Sequence, residues 1–377
     1  MRPPHASVTE ITTVLRIASP YERFRALRPN ERLPGIGGSD SVLRGTAHSG
    51  GGEMRDSGGI RTILLLFAVL TLGVGASFAQ APPPQGGAPA GPPPGGAANA
   101  ANPMKAPFPP FHIIGNIYYV GSSGLACYVI KTSKGLILLD SGYPDMAPQI
   151  EGNIKALGFQ LSDVKLLINS HAHIDHGGGM GPLKMDTGAK LVAMKEDAPY
   201  FESGGHNDVV FGDRNLFPPV HVDRIIHDGD KVKLGDTTLT AHLMPGHTPG
   251  NTTWTMVVKD GGKSYDTVFF GIITPLPNTN LAGTPNYPNI GADWARTMKA
   301  LSTIQCDVFL GSNASFYDMP KKHDALMKNP DTNPFIDPTG CKAFMDRAEG
   351  TYQNLLKSPP PATPPAGGAT PPASGPR

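Results

Sequence analysis

The chain carries almost no net charge, which narrows the range of its partners. Its 377 residues include 32 lysines and arginines against 31 aspartates and glutamates, so the formal net charge is +1. This balance excludes the strongly basic composition with which proteins bind nucleic acids or acidic membrane surfaces. We therefore expect a small-molecule substrate and no nucleic acid partner.

Cysteine is also scarce, because only Cys127, Cys306 and Cys341 occur. Cys127 lies in the apolar run 125–130, which predicts a buried free thiol. Cys306 and Cys341 bracket the last part of the predicted domain. We predict a disulfide between them that contributes about 3 kcal/mol to stability, with two free thiols as the alternative.

The N-terminal part of the chain indicates export. Basic residues, the apolar run 62–74 and a small-residue cleavage site before Gln80 predict a secretory signal peptide over 54–79, with a membrane anchor as the alternative. No cysteine lies at the cleavage site, which argues against a lipoprotein. We expect a periplasmic or secreted protein that has no membrane attachment after cleavage. Because the signal begins at Met54, we interpret 1–53 as a disordered, non-native upstream extension.

Glycine and proline are abundant, with 46 and 40 residues, and they cluster toward the two ends of the chain. The segment 80–105 has the composition of a Pro/Gly-rich linker, and 358–377 resembles a disordered Pro-rich tail. Neither segment can bury a core. One domain therefore remains, over 106–357, which is an ordinary size for a single α/β domain.

Within this domain, apolar runs typical of strands occur in two groups. The pattern from Met146 to Leu157, ended by Gly158, predicts a helix between them. The pair Lys231–Leu234 and Thr237–Leu243 predicts a hairpin. Other strand-like runs are 113–120, 126–131, 135–140, 164–169, 191–194, 252–259, 267–270 and 308–310, and further helices are predicted over 183–190, 293–303 and 341–356. This order favours an α/β protein with two mixed sheets flanked by helices, an αββα sandwich.

The most informative segment is His171-Ala172-His173-Ile174-Asp175-His176. It follows the apolar run 164–169, so it lies where a buried strand ends and a loop begins. Neutral imidazole nitrogens and carboxylate oxygens are good zinc ligands. Three glycines follow at once and allow the backbone to curl around an ion. The segment therefore predicts a zinc site, and a solvated histidine-rich loop is the alternative.

Two other strand ends supply candidate partners. His247 lies in Pro245–Gly250, directly after a predicted strand, and catalytic zinc usually has three protein ligands plus water. We therefore predict His247 as a ligand, although a lone histidine is more often structural. Asp140 also ends a strand, and it either orients a metal ligand or forms an Asx turn. The strand over 308–310 is followed by Asn313, a neutral amide and a weak zinc ligand.

These residues resemble the metallo-β-lactamase superfamily over nearly the whole domain, through His171-x-His173-x-Asp175-His176 together with His247. The motif is shared by glyoxalases, lactonases and nucleases, so by itself it indicates the fold and not the substrate. No carboxylate follows the strand over 268–270, where many relatives carry a bridging aspartate and lactamases do not. Similarity to subclass B3 metallo-β-lactamases lies in Ser170–His173, Pro245–Gly250 with Trp254, Pro218–Val220, Asn286–Pro288 and the Cys306/Cys341 pair.

The resemblance implies two zinc sites. His171, His173 and His247 would hold the first zinc, and Asp175 and His176 the second. The family's sixth ligand is a histidine at the position of Asn313, which predicts a firmly bound first zinc and a weak or conditional second zinc. Near Ile272 the family often has a serine that assists the second site, and here the position is apolar. Thr274 is implied as a contact for the substrate carboxylate.

The implied activity is hydrolysis of the β-lactam amide bond, and hence antibiotic inactivation, by a zinc-bound hydroxide that Asp175 orients. Two alternatives remain open at this point. The protein would be a different zinc hydrolase of the same fold, such as a lactonase or another amidase, or a zinc-binding protein with little catalysis. A monomer is expected.

Overall fold

The computed structural model describes residues 102–357 of the chain. The predicted extension over 1–53, the signal peptide over 54–79 and the tail over 358–377 lie outside the described residues. A 3₁₀ helix over Pro103–Lys105 comes first, and the Ser123 hydroxyl donates a hydrogen bond to the Pro103 carbonyl at 2.9 Å. The last residues of the predicted linker therefore belong to the folded unit.

Seven strands form a first sheet, in which each strand lies beside the next one along the chain. The pairs from β1 to β4 are antiparallel, and those from β4 to β7 are parallel. The strands are β1 (Phe111–Ile114), β2 (Ile117–Tyr119), β3 (Tyr128–Thr132), β4 (Gly135–Leu139), β5 (Val164–Ile168), β6 (Lys190–Met194) and β7 (Arg224–Ile226).

Five strands form a second sheet, in the spatial order β12-β11-β10-β9-β8. All neighbours are antiparallel except β11 and β12. The strands are β8 (Lys231–Leu234), β9 (Thr237–Leu243), β10 (Thr252–Asp260), β11 (Lys263–Phe270) and β12 (Val308–Gly311).

Seven α-helices accompany the sheets, and none of those within 102–357 combines the length and apolarity needed to cross a bilayer. They are α1 (Ala147–Ala156), α2 (Ile174–Gly177), α3 (Met180–Thr187), α4 (Ala198–Ser203), α5 (Ile290–Leu301), α6 (Met319–Lys328) and α7 (Pro338–Lys357).

The alternation of side chains along β4 separates two cores. Ile137 and Leu139 belong to a cluster shared with the second sheet and with α5 and α7. Leu136 and Leu138 point the other way, into a cluster with α1 and α3. Successive strand residues face opposite sides of a sheet, so a sheet with helices on one face and a second sheet on the other needs apolar residues at both positions. The predicted αββα sandwich of two mixed sheets is thereby confirmed.

The prediction of one strand over 113–120 is wrong. The chain turns back at Gly115, whose φ is +54°, and β1 and β2 form a hairpin. A Cβ at Gly115 would lie 2.5 Å from Val258 Cγ2, so this turn requires glycine twice over. Both arms of the hairpin are apolar, so the sequence pattern resembles that of one continuous strand.

Some elements lacked a readable pattern. Strand β7 at the sheet edge buries only Ile226, and helix α6 buries only Met319 and Leu326. Hydrophobic periodicity indicates an element only where one face is buried, so these two were not predicted. The predicted strand over 267–270 also begins earlier, at Lys263, because Gly261 and Gly262 both adopt positive φ and close a hairpin with β10.

The predicted disulfide between Cys306 and Cys341 is present. It joins the segment before β12 to helix α7, whose Phe344 packs against Phe309 of that strand. Cys127 is a free, buried thiol, as predicted. The bridge closes a loop of 35 residues in sequence separation, and it therefore restricts the unfolded chain substantially.

Removal of this bridge should lower stability without altering the fold. We expect the double variant Cys306→Ser/Cys341→Ser to lose about 3 kcal/mol of unfolding free energy, because the unfolded chain regains the freedom of the closed loop. Urea denaturation measures this loss. Reductant should destabilise the parent protein and leave the double variant unchanged; equal urea midpoints for the two oxidised proteins would contradict the assignment.

Candidate metal centre

The candidate residues lie at the ends of strands from both sheets. His171 to His176 follow β5, and Asp140 follows the neighbouring parallel strand β4. His247 follows β9 of the second sheet. Two hydrogen bonds join the sheets beside these loops: Thr252 N–H donates to Ser170 O at 2.7 Å, and Trp254 Nε1–H donates to Asn169 O at 2.8 Å. The fold thus assembles one site from loops distant in sequence.

Five side chains form two overlapping groups of metal donors. His171, His173 and His247 make one group, and His171, Asp175 and His176 make the other, with all donor atoms of a group within 4.8 Å of one another. His173 Nδ1 lies 3.0 Å from His247 Nε2, and His176 Nε2 lies 3.4 Å from Asp175 Oδ2. The four motif residues and His247, which the sequence predicted as ligands, therefore come together.

The ring nitrogens that face away from this cluster are held by neighbours. His171 Nδ1 lies 3.1 Å from Ser170 Oγ, and His173 Nε2 lies 3.1 Å from Asp208 Oδ2. His176 Nδ1 lies 3.3 Å from Asp140 Oδ2 but forms no hydrogen bond among the described residues. The hydrogen bonds of His171 and His173 select the tautomer that leaves the opposite nitrogen free to bind a metal.

One buried nitrogen points to a cation directly. His171 Nε2 is buried and has no hydrogen-bond partner among the described residues. A buried polar atom without a partner is costly, and a metal ion would satisfy this one. His171 is shared by both donor groups, so its free nitrogen faces the centre of the cluster. The residues present therefore fit a metal ion.

The electrostatics of the cluster agree with this fit. Burial, together with the neighbouring histidines, holds the pKa of His171 well below its usual value, and burial does the same for His247. Both rings are thus neutral, the form that binds metal. Burial also lowers the pKa of His176, but Asp175 and Asp140 outweigh it and raise that pKa to about 10. His176 therefore carries a proton on each ring nitrogen, and a cation bound at this ring would replace one of them.

Asp197 ties the two ligand loops together, and sequence reasoning missed it. Its Oδ2 accepts hydrogen bonds from Ala172 N–H at 2.9 Å and from the Thr248 hydroxyl at 2.8 Å. Its Oδ1 accepts from Gly250 N–H at 2.7 Å. A Cβ at Gly250 would lie 2.6 Å from the Asp197 carboxylate, which explains the glycine. Burial raises the pKa of Asp197 to about 6, against the effect of these three donors.

Asp140 contacts Ser170 and His176 and does more than form a turn at the end of β4. It has a φ of +61° and accepts hydrogen bonds from Ser170 N–H at 2.6 Å and from the Ser170 hydroxyl at 2.8 Å. Together with its 3.3 Å approach to His176, these contacts support the first of the two roles considered from the sequence. No sequence pattern indicated a role for Asp208, which lies in a glycine-rich loop.

The two remaining predicted residues, Asn313 and Thr274, follow strands of the second sheet. Asn313 follows β12 and precedes the 3₁₀ helix Ala314–Tyr317, and its Oδ1 is buried with no hydrogen-bond partner in residues 102–357. Thr274 is half-buried in the segment after β11. The six other histidines of the described chain lie outside both donor groups: His112, His206, His221, His227, His242 and His323.

Removal of the Asp197 charge should loosen both ligand loops at once. In Asp197→Asn, one oxygen is left for three donors, so we expect a loss of about 1–3 kcal/mol in unfolding free energy. We also expect weaker zinc stabilisation, measured as the melting-temperature increase on adding zinc. Thr248→Val removes one donor and keeps the shape, and it should show a smaller effect. Equal zinc-dependent increases in the parent protein and Asp197→Asn would refute this role.

Solved structures similar to this chain share both its fold and much of its sequence. The native FEZ-1 metallo-β-lactamase from Legionella gormanii is 45% identical, with a TM-score of 0.66, and the match covers 68% of this chain and 98% of that one. The class B3 di-zinc metallo-β-lactamase LRA-12 from an Alaskan soil metagenome is 37% identical, with a TM-score of 0.63, covering 68% and 97%.

Sequence comparisons agree on the family. An N-acyl homoserine lactonase from Bacillus thuringiensis is 26% identical over 160 residues, or 36% of this chain and 60% of the lactonase. The chain thus spans about 60% of the length of this curated relative. The model of the metallo-β-lactamase superfamily matches residues 124–301. With identity of 45% over nearly the full length of FEZ-1, the chain belongs to the metallo-β-lactamase superfamily, and its structural relatives are subclass B3 metallo-β-lactamases.

Proposed function

We propose that this protein is a zinc hydrolase that opens the β-lactam ring. The observation that carries the proposal is the buried Nε2 of His171, which has no hydrogen-bond partner within residues 102–357 and lies among the donor atoms of His173 and His247. Similarity to β-lactamases along almost their entire length supports the substrate class. A small-molecule substrate also suits a chain with a net charge of +1.

Zinc, when bound by His171, His173 and His247, supplies a Lewis acid and lowers the pKa of a water ligand to about 7. The protein's own residues prepare this chemistry. Ser170 and Asp208 hold the outward nitrogens of His171 and His173, while Asp197 fixes the loops that bear all three ligands. In the proposed reaction, Asp175 orients the attacking water, and Thr274 binds the substrate carboxylate.

Hydrolysis of a β-lactam should depend on the histidine cluster. We expect the purified protein to hydrolyse nitrocefin or a carbapenem, to lose this activity with a chelator and to regain it with zinc. His247→Ala should remove most of the activity, because it deletes a predicted first-site ligand. His206→Gln is the matched control, since His206 is exposed and its ring pairs with the exposed Asp213. Chelator-resistant turnover would contradict the proposal.

A lactonase is the second candidate, because the curated relative at 26% identity is an N-acyl homoserine lactonase. The segment after β11 favours the β-lactamase instead. Gly271 and Ile272 stand where many hydrolases of this superfamily carry a bridging aspartate, and Asn251 holds the Ile272 backbone through hydrogen bonds of 2.9 and 3.0 Å. An assay with an acyl homoserine lactone beside nitrocefin separates the two candidates. A zinc-loaded protein inert toward both would indicate zinc binding with little catalysis.

The proposal includes two zinc sites of unequal strength. Asp175 and His176 offer strong ligands at the second site, whereas Asn313 offers a neutral amide oxygen. Loss of even an outer-shell partner weakens metal binding about 10–100-fold, and loss of a first-shell histidine should cost at least as much. The buried Asn313 Oδ1, which lacks a hydrogen-bond partner in the described chain, supports a conditional ligand at this position.

Restoring a histidine should strengthen the second site. We expect one zinc per chain after dialysis of the parent protein and two in Asn313→His, together with a higher turnover at low zinc. Metal analysis by mass spectrometry measures the stoichiometry. Asn329→His adds a histidine at an exposed position and serves as the control. Two tightly held zinc ions in the dialysed parent protein would refute the weak second site.

We also propose that the protein is exported and that it is a monomer. The signal peptide over 54–79 would direct the chain to the periplasm or the medium, and the Cys306–Cys341 disulfide suits an oxidising compartment.

A further inference from the structure

We propose that Asp208 is a positioning residue for His173 and couples the segment 204–217, here called the Asp208 loop, to metal binding at the first site. The inference rests on the proposed function, because it requires zinc at His171, His173 and His247. It concerns a residue 35 positions from His173 in the sequence, to which no motif assigned a role.

The contact between Asp208 and His173 is buried and specific. Asp208 Oδ2 lies 3.1 Å from His173 Nε2, and the two side chains are 6% and 4% exposed. A neutral imidazole has a single N–H group, so the carboxylate, which only accepts, keeps that proton on Nε2. The lone pair of His173 then lies on Nδ1, the atom that faces His247 Nε2 at 3.0 Å. Asp208 therefore selects the metal-binding tautomer.

The second oxygen of the same carboxylate holds the loop. Asp208 Oδ1 accepts hydrogen bonds from Val210 N–H at 2.8 Å and from Phe211 N–H at 2.6 Å. Gly212 N–H donates to the Asp208 carbonyl at 2.8 Å and closes the turn. The Phe211 ring lies 4.8 Å from the His173 ring, between centroids. One carboxylate thus joins the backbone of the loop to a metal ligand.

This double use makes the coupling reciprocal. Zinc on His173 fixes the ring whose N–H group anchors Asp208, and an anchored Asp208 keeps that ring in the orientation that binds zinc. By linkage, if the ordered loop strengthens zinc binding by a given free energy, zinc binding stabilises the ordered loop by the same free energy. Asp213, the other carboxylate of the loop, is exposed and bonds to His206 and Asn207, so it lacks any contact with the ligands.

The two carboxylates provide a matched pair of variants. Asp208→Asn leaves one acceptor oxygen for both His173 and the loop backbone, whereas Asp213→Asn alters only the exposed contact. Zinc affinity is measured on the full chain by competition with a chromophoric chelator. We expect a loss of about 10–100-fold in Asp208→Asn and less than twofold in Asp213→Asn. Hydrogen exchange of the peptide containing Val210 and Phe211 should slow on zinc addition in the parent protein, and this slowing should disappear in Asp208→Asn.

A merely structural role gives a different pattern. If Asp208→Asn lowered the melting temperature equally with and without zinc, at unchanged zinc affinity, Asp208 would stabilise only the loop and the proposal would be overturned. Zinc-independent exchange in the parent protein would overturn the coupling as well. If the parent protein bound no zinc, the proposed function would fail together with the inference. Zinc binding by the parent and Asp208→Asn with equal affinity would overturn the inference alone.

Discussion

Four imidazole rings meet in one pocket of this fold, and the partners of their ring nitrogens decide what the pocket can bind. Burial holds His171 and His247 neutral, so these rings cannot gain stability from a charge. The outward nitrogens of His171 and His173 instead face Ser170 and Asp208. The inward nitrogens are left for a cation, which would satisfy the Nε2 of His171 that has no partner in the described part of the chain. The surrounding architecture supports this arrangement of rings turned toward one point.

The two-sheet fold meets this demand because its loops are fastened to each other and not only to their strands. Asp197 accepts hydrogen bonds from Ala172 in the loop after β5 and from Thr248 and Gly250 in the loop after β9. A buried carboxylate is costly, and its raised pKa of about 6 reflects that cost. Three donors offset it, and one side chain thereby ties together the ligand loops of the two sheets.

The extent to which the sequence predicted this structure depends on the range of each interaction. The ligands from His171 to His176 lie within six residues, and His247 lies in a tight Gly/Pro loop, so local chemistry was enough to identify them. The two sheets followed from apolar runs whose residues are buried on both faces, as in β4. Asp197 and Asp208 escaped notice because their contacts with the ligand loops span 25 to 53 residues and follow no periodic pattern.

The second sheet contributes one residue to each proposed metal site, and this separation explains how one site can weaken alone. His247 follows β9 and is fastened through Thr248 and Gly250 to Asp197. Asn313 follows β12, which is the edge strand of that sheet opposite β8. The Oδ1 of Asn313 has no hydrogen-bond partner among the described residues. A histidine exchanged for an amide after β12 therefore leaves the Asp197 network untouched. The proposed inequality of the two sites needs no rearrangement of the first, because the residue that the second sheet contributes to each site follows a different strand.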